Sequence, residues 1–181
     1  MAGRRRTQAE LNEALLWIVA VLHRLGLRQW YLSYGTLLGL VRSGQCIDGD
    51  DDVDIVISSP EFDRVWNWAA RCFRGTRSRP GLVVHFNLSR MLRFEFPTVD
   101  CLQVFAPNGC QVDFYRGHVS GRSVQDPWNS VTWTDCLPYS KMNWRGMEVQ
   151  IPRNPEQKLR ALYGPDWRIP KNKKGKNNVS V

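Results

Sequence analysis

Residues 34–57 read YGTLLGLVRSGQCIDGDDDVDIVI and contain the clearest secondary-structure pattern and the densest charge of the whole chain. The stretch ends in VDIVI, residues 53–57, a run of branched apolar residues that is typical of a mostly buried strand. It begins with a Gly-Thr pair and an apolar segment that favours a short helix. The two halves predict a helix and a buried strand separated by an acidic loop.

The acidic loop predicts a metal site. Asp52 and Asp54 lie two positions apart on the predicted strand, so their side chains face the same side. Two carboxylates in this arrangement can share a hard divalent cation, which prefers oxygen ligands. Asp54 also lies among apolar residues, where a carboxylate is costly unless it is paired or metal-bound. A solvated acidic loop is the plain alternative, and an EF-hand does not fit because its terminal glutamate is missing.

The Gly-Thr pair predicts a phosphate-binding turn. Gly35 and Thr36 stand at a helix start, where backbone N–H groups can hold a phosphate. Arg42 could neutralise a phosphate oxygen, or it could be an ordinary surface residue of the short helix. The pair alone is weak evidence, and it gains weight because the Asp52-x-Asp54 pattern follows sixteen positions after Thr36.

Length and charge indicate one folded unit with basic ends. A chain of 181 residues with 43% hydrophobic and 23% charged residues fits a single globular domain. We expect this domain to span residues 1–170 and a basic, disordered tail to span 171–181. Most of the net charge of +8 comes from seven basic residues at the two ends: Arg4, Arg5, Arg6, Lys171, Lys173, Lys174 and Lys176. We therefore expect frayed, solubilising ends that the chemistry does not need, and no specific nucleic-acid partner.

The cysteine pattern and the hydropathy argue for a reduced, soluble protein. The five cysteines are widely spaced, and with only three histidines no zinc-ligand spacing occurs. The longest apolar run, residues 14–22, is too short to cross a bilayer, and no signal-peptide cleavage site follows it. These features predict mostly buried free thiols and a cytoplasmic or otherwise soluble location.

The rest of the chain predicts an α+β fold, close to α/β, with a mixed sheet flanked by helices. Leu11, Leu15, Ile18 and Leu22 form one face of a first helix that stops at Gly26, and Pro60 opens a second helix. The further predicted segments are strands at 82–88, 91–96, 101–105, 111–115 and 147–151, a hairpin turn at Asn108-Gly109, an irregular stretch at 117–145 and a helix at 155–163.

The central stretch resembles the signature of the LicD and fukutin-related family. Residues 35–42 and 47–54 match its pattern G-T-L-L-G-x-x-R, a spacer, then I-x-x-D-D-D-x-D. GMEVQIP at 146–152, followed by Leu159, Tyr163-Gly164 and Trp167, resembles the closing segment of the family. The chain departs from the family at Asp48-Gly49, where a proline and a bulky residue are usual, and it lacks the zinc-binding cysteine cluster of animal relatives.

The resemblance implies a nucleotidyltransferase-like fold and a third carboxylate on a neighbouring strand. Asp113, flanked by apolar residues in QVDFY, is the best match, with Asp100 and Glu95 as rivals. The expected catalytic and metal-binding residues are thus Asp52, Asp54 and Asp113, holding Mg²⁺ or Mn²⁺. The expected substrate- and phosphate-binding residues are Gly35, Thr36, Arg42, Asp50 and Asp51. Arg71, Arg74, Arg77 and Arg79 could bind donor phosphates or could form a solvated link.

Known members of this family move phosphocholine or ribitol phosphate from a CDP-activated donor onto a sugar. The resemblance therefore implies a metal-dependent phosphotransferase with a CDP-linked donor and a carbohydrate acceptor. Two alternatives remain open. The same carboxylates could serve a nucleotidyltransferase that adds a nucleoside monophosphate to RNA or to a small molecule. A degenerate, non-catalytic member could instead act as a binding module.

Overall fold

The computed structural model describes residues 4–73, 83–86, 99–126, 131–133 and 136–170. The helices are α1 (Gln8–Arg24), α2 (Tyr34–Ser43), α3 (Ser59–Phe73) and α4 (Pro155–Tyr163). The strands are β1 (Trp30–Leu32), β2 (Asp52–Ser58), β3 (Val83–Phe86), β4 (Val99–Phe105), β5 (Gln111–Ser120), β6 (Ser123–Asp126), β7 (Val131–Trp133), β8 (Ser140–Trp144) and β9 (Met147–Ile151). The predicted α+β class is confirmed.

Helix α1 has clear start and stop features. Thr7 and Glu10 form a capping box, in which each side chain accepts a hydrogen bond from the other residue's backbone N–H. Gly26, with φ +65°, lets the chain leave after the last turn. The apolar face predicted from the sequence is buried, so α1 packs on the sheet as expected.

The main sheet mixes parallel and antiparallel pairs in the order β1-β2-β5-β4-β3, and β6 and β7 extend it from β5. Strands β2 and β5 are parallel, whereas β1 pairs antiparallel with β2 and β4 pairs antiparallel with β5. The β4–β5 hairpin turns at Asn108-Gly109, as predicted, and β8 and β9 form a separate two-stranded sheet. The central strands β2 and β5 thus run side by side in the same direction.

The two faces of this sheet differ in chemistry. Val53, Ile55 and Ile57 of β2 belong to the main hydrophobic core with α1 and α3. Val56 and Tyr115 belong to a second cluster on the opposite face. Because side chains alternate along a strand, the even-numbered residues of β2 and the odd-numbered residues of β5 share that second face. The acidic residues of both strands lie there.

Two sequence-based expectations are wrong. The described residues between 117 and 145 are not an irregular stretch, because β5 continues to Ser120 and is followed by β6, β7 and β8. Arg6 is not part of a frayed end, because its backbone donates to the Asp50 carbonyl at 2.8 Å. The strand predicted at 91–96 and the tail at 171–181 lie outside the described residues.

Cys46, Cys101, Cys110 and Cys136 are free and buried, as the cysteine pattern predicted. Burial raises the pKa of the Cys46 thiol to about 12, which keeps it protonated and unreactive at neutral pH. Across the part of the chain that the structure describes, no helix combines the length and the apolar character needed to cross a membrane.

Candidate active site

The register of β2 and β5 brings two acidic residues side by side. Asp54 and Asp113 are direct Cα partners in the parallel pair, and their relative exposures are only 5% and 4%. Asp52 lies on the same face, two residues before Asp54 in β2, and is paired with Gln111. The structure thus gathers the three carboxylates expected from the sequence on one face of the central strand pair.

Hydrogen-bond donors surround this pair of carboxylates. Tyr115 donates its hydroxyl to Asp54 Oδ1 at 3.3 Å and to Asp113 Oδ2 at 3.4 Å. The side-chain amides of Gln103 and Gln111 each donate to Asp113 at 3.0 Å, one to Oδ2 and the other to Oδ1. These contacts fix the orientation of Asp113 and leave Asp54 held less tightly.

The electrostatics of the site favour a bound cation. Burial, followed by the negative charges of Asp52, Asp113 and Asp50, raises the pKa of Asp54 well above its ordinary value. Burial, followed by the negative charges of Asp54 and Asp113, also raises the pKa of Tyr115. The site therefore resists negative charge when it is empty, and a cation beside Asp54 would relieve both the burial cost and the repulsion.

The start of α2 is attached to β2 at Asp54. The Asp54 backbone N–H donates to Thr36 Oγ1 at 2.9 Å, and the Ser33 N–H donates to the Asp54 carbonyl at 3.1 Å. Tyr34, with φ +43°, makes the sharp turn between β1 and α2. The Gly-Thr turn therefore lies beside the acidic pair, as the sequence motif required, and the buried Thr36 hydroxyl already helps to hold it there.

Asp50 folds back over this turn. A Cβ atom placed on Gly35 would lie 2.3 Å from Asp50 Oδ2, so a larger residue there would displace the carboxylate. Asp50 thus lies against the first turn of α2, near the end where the helix dipole favours negative charge. Asp51, the other accessory residue expected from the sequence, is half-buried directly before β2.

Helix α4 contributes two residues that sequence reasoning did not assign to the site. Burial, followed by the charges of Asp54, Asp50 and Asp52, raises the pKa of Tyr163, and Arg42 lowers it. Tyr163 therefore lies within electrostatic range of the acidic cluster and also of Arg42, whose role at the site stays a prediction.

Lys158, the other residue from α4, is 2% exposed and donates to the Tyr31 hydroxyl at 3.0 Å. Its ammonium lies 4.3 Å from the ring centroid of Tyr31 and 4.7 Å from that of Trp133. The ring of Tyr34 packs edge-on against Tyr115 at 5.1 Å. The buried ammonium of Lys158 and these aromatic rings therefore form a packed layer beneath the site.

The donor chemistry fits a hard divalent cation, because the oxygens around Asp54 are carboxylates. Among the described residues, however, no three His, Cys, Asp or Glu side chains form a ready-made metal cluster. Magnesium commonly uses one or two carboxylates together with waters and substrate phosphates. A site built on Asp52 and Asp54 and completed by substrate is consistent with this geometry, and metal ligation by all three carboxylates, Asp52, Asp54 and Asp113, stays a prediction.

The remaining sequence candidates are the rival carboxylates Asp100 and Glu95 and the arginines between residues 71 and 79. Asp100 lies in β4, and Glu95 falls outside the described residues. Arg71 is exposed on α3, where its Nε donates to the Asn67 carbonyl at 3.1 Å. Arg74, Arg77 and Arg79 also fall outside the described residues.

Comparison with known proteins agrees with this architecture. The family described as LicD/FKTN/FKRP, nucleotidyltransferase domain, matches residues 27–154, and the chain belongs to this family. No curated protein matches the chain. A solved structure of the lincosamide antibiotic adenylyltransferase LnuA, bound to lincomycin, is similar at 12% identity and a TM-score of 0.55, covering 86% of this chain and 85% of that one.

A nucleotidyltransferase-like protein from Paracoccidioides brasiliensis, described as antigenic, is 16% identical with a TM-score of 0.48. That match covers 87% of this chain and 66% of the other. The family match and the similarity to LnuA together support a nucleotidyltransferase-like fold of the nucleotidyl- or phosphotransferase type.

Proposed function

We propose that the protein is a metal-dependent phosphotransferase that moves an alcohol phosphate, such as phosphocholine or ribitol phosphate, from a CDP-activated donor to a sugar hydroxyl. The observation that carries the proposal is the pairing of two buried carboxylates, Asp54 and Asp113, beside the N-terminus of α2. Membership of the LicD family supports the choice of donor and acceptor.

In this proposal Asp52 and Asp54 hold Mg²⁺ or Mn²⁺, and Asp113 is available as a further ligand. When bound, the cation neutralises the donor diphosphate and the charge that develops on the departing CMP. Gly35 and Thr36 position phosphate oxygens through the first turn of α2. Arg42, in the last turn of the same helix, adds positive charge.

Asp113 has a second role as the base for the acceptor. The sugar hydroxyl oxygen attacks the phosphorus that bears the alcohol, its proton passes to Asp113, and the bond to CMP breaks with the electron pair leaving on CMP. Gln103 and Gln111 keep the Asp113 carboxylate aimed in one direction through the two bonds described above. Such fixed orientation is what a general base needs.

The decisive experiment incubates the purified protein with Mn²⁺ and a panel of CDP-linked alcohols and nucleoside triphosphates, and measures the release of CMP and pyrophosphate. CMP release that depends on a sugar acceptor supports the proposal. Asp54→Asn should abolish it, and Asp63→Asn, which changes an exposed carboxylate of α3, should not. Failure of the protein to bind Mn²⁺ or any nucleotide would identify a non-catalytic binding module instead.

The fold also supports a second candidate, because LnuA, which has a similar fold, is a lincosamide antibiotic adenylyltransferase. A nucleotidyltransferase would use the same carboxylates to attach a nucleoside monophosphate to RNA or to a small molecule. A strict requirement for a nucleoside triphosphate, with release of pyrophosphate, would select this function over the first.

A further inference from the structure

Arg6 pairs with the loop that leads into β2. Its N–H donates to the Asp50 carbonyl at 2.8 Å, and its own carbonyl accepts from the Gly49 N–H at 2.9 Å. Gly49 has φ +78°, a conformation that glycine adopts without strain. The N-terminal segment therefore forms a short two-bond bridge with the acidic loop, two residues before Asp52.

The side chain of Arg6 contacts a different loop. Its guanidinium donates to the Gly109 carbonyl in the β4–β5 turn, and it lies 3.5 Å from Glu10 Oε1. The side chain is only 17% exposed. A single residue thus connects the loop before β2 with the loop before β5, which are the two strands that carry Asp54 and Asp113.

The start of α1 anchors this connection. The Gln8 N–H donates to Asp48 Oδ1 at 2.9 Å, so the acidic loop also caps the helix. The Asn108 side chain donates to the Glu10 carbonyl at 2.9 Å, which attaches the β4–β5 turn to the same helix. Since β2 and β5 are parallel, their starts lie at the same edge of the sheet, and α1 spans both.

We propose that Arg6 is a positioning residue that holds the starts of β2 and β5 together and thereby sets the spacing of the carboxylates across the two strands. Arg6 touches no carboxylate of the pair and acts through the Asp48–Asp50 loop and the Gly109 turn. Its effect on metal affinity rests on the proposed function, whereas its effect on the two loops does not.

The test compares Arg6→Ala with Arg5→Ala, a matched control that removes the same charge from an exposed neighbour. Amide hydrogen exchange is measured for residues 47–52, 108–113 and, as an internal reference, α4. Titration with Mn²⁺ alone, followed by electron paramagnetic resonance, gives the metal affinity. Arg6→Lys, which keeps a donor at the end of a long side chain, serves as the conservative variant.

We expect Arg6→Ala to speed exchange in both loops and leave α4 unchanged, while Mn²⁺ affinity falls by about tenfold, the lower end for residues that orient metal ligands indirectly. Arg5→Ala should match the wild type, and Arg6→Lys should restore much of the loss. If the wild type binds no Mn²⁺, the proposed function fails, and faster exchange in the two loops still supports the role of Arg6. Equal exchange in Arg6→Ala and Arg5→Ala, or a uniform increase that includes α4, would overturn it.

Discussion

Ionising the buried Asp54 without a bound metal lowers the free energy of unfolding, so the stability of the protein should depend on pH. The unfolded carboxyl has an ordinary pKa of 3.8, and burial with acidic neighbours raises the pKa in the folded protein well above that value. The protonated form therefore stabilises the metal-free fold. This contribution is complete below pH 3.8 and is lost as the pH rises through the folded pKa.

Asp54→Asn cannot lose a proton, so it should melt at a higher temperature than the metal-free wild type at neutral pH. The difference should widen as the pH rises from 3.8 towards the raised pKa of folded Asp54, because over that range the carboxyl ionises readily only in the unfolded wild type. Thermal melts in EDTA across this range measure the effect. Equal pH dependence of the two proteins would show that Asp54 is not the strained group.

Asp113→Asn tests the base at the same scale. Two carboxylates remain to hold metal and donor diphosphate, so donor affinity measured by calorimetry should change little. We expect kcat to fall by on the order of a hundredfold or more, since proton removal from the acceptor is lost. Asp100→Asn and Glu95→Gln should stay within a few-fold of wild type. If one of these two is inactive while Asp113→Asn is active, the third carboxylate has been misassigned.

At the scale of elements, the close packing of α2 at Gly39 predicts a loss of stability on substitution. A Cβ atom there would lie 2.5 Å from the Gln45 carbonyl oxygen, which belongs to the backbone and cannot swing away. Gly39→Ala should therefore destabilise the protein by about 1 to 3 kcal/mol, although glycine-to-alanine changes inside helices usually stabilise. Urea denaturation measures the change in the free energy of unfolding.

Gly35→Ala is the matched comparison in the same helix. Its Cβ would meet the Asp50 side chain, which can rotate away, so the loss of stability should be smaller than for Gly39→Ala. If both substitutions lower the free energy of unfolding by the same amount, the loop at Gln45 does not pack against α2 as closely as the structure describes.

The elements that the sequence predicted are those whose pattern is local. The apolar face of α1, the VDIVI strand and the Asn108-Gly109 turn follow from periodicity and turn chemistry. Gly117, in contrast, suggested an end to regular structure, yet it lies inside β5. A Cβ there would approach Val56 Cγ1 to 2.8 Å and Val124 Cγ1 to 2.9 Å, so the glycine is needed for close contact across the sheet.

The same distinction separates the parts of the site. Asp52 and Asp54 could be predicted to share one face because they lie two positions apart on a single strand. Gln103 and Lys158 could not be, because strand register brings Gln103 to Asp113 and helix packing brings Lys158 to Tyr31. Arg6 belongs to a run of three arginines that predicts a solvated basic end. Such a run does not indicate which distant backbone carbonyls its side chains will contact in the folded protein.

At the scale of the whole molecule, the charge distribution predicts a separation between chemistry and nonspecific binding. The segment 171–181 contains four lysines that account for half of the net charge of +8. Deleting it should leave kcat unchanged and weaken binding to a polyanion such as heparin, most clearly at low salt. Activity assays and salt-dependent binding of the truncated protein test this. A large fall in kcat would show that the segment enters the site.

The alternation of side chains on β2 has a consequence for folding itself. If β2 paired with β5 one residue out of register, its apolar side chains would turn to the polar face, and Asp52 and Asp54 would turn into the hydrocarbon core beneath α1. Burying two unpaired carboxylates there would be far costlier than the correct pairing. The residues proposed for catalysis thus also favour the correct strand register, because they destabilise the nearest misfolded arrangement of the central strands.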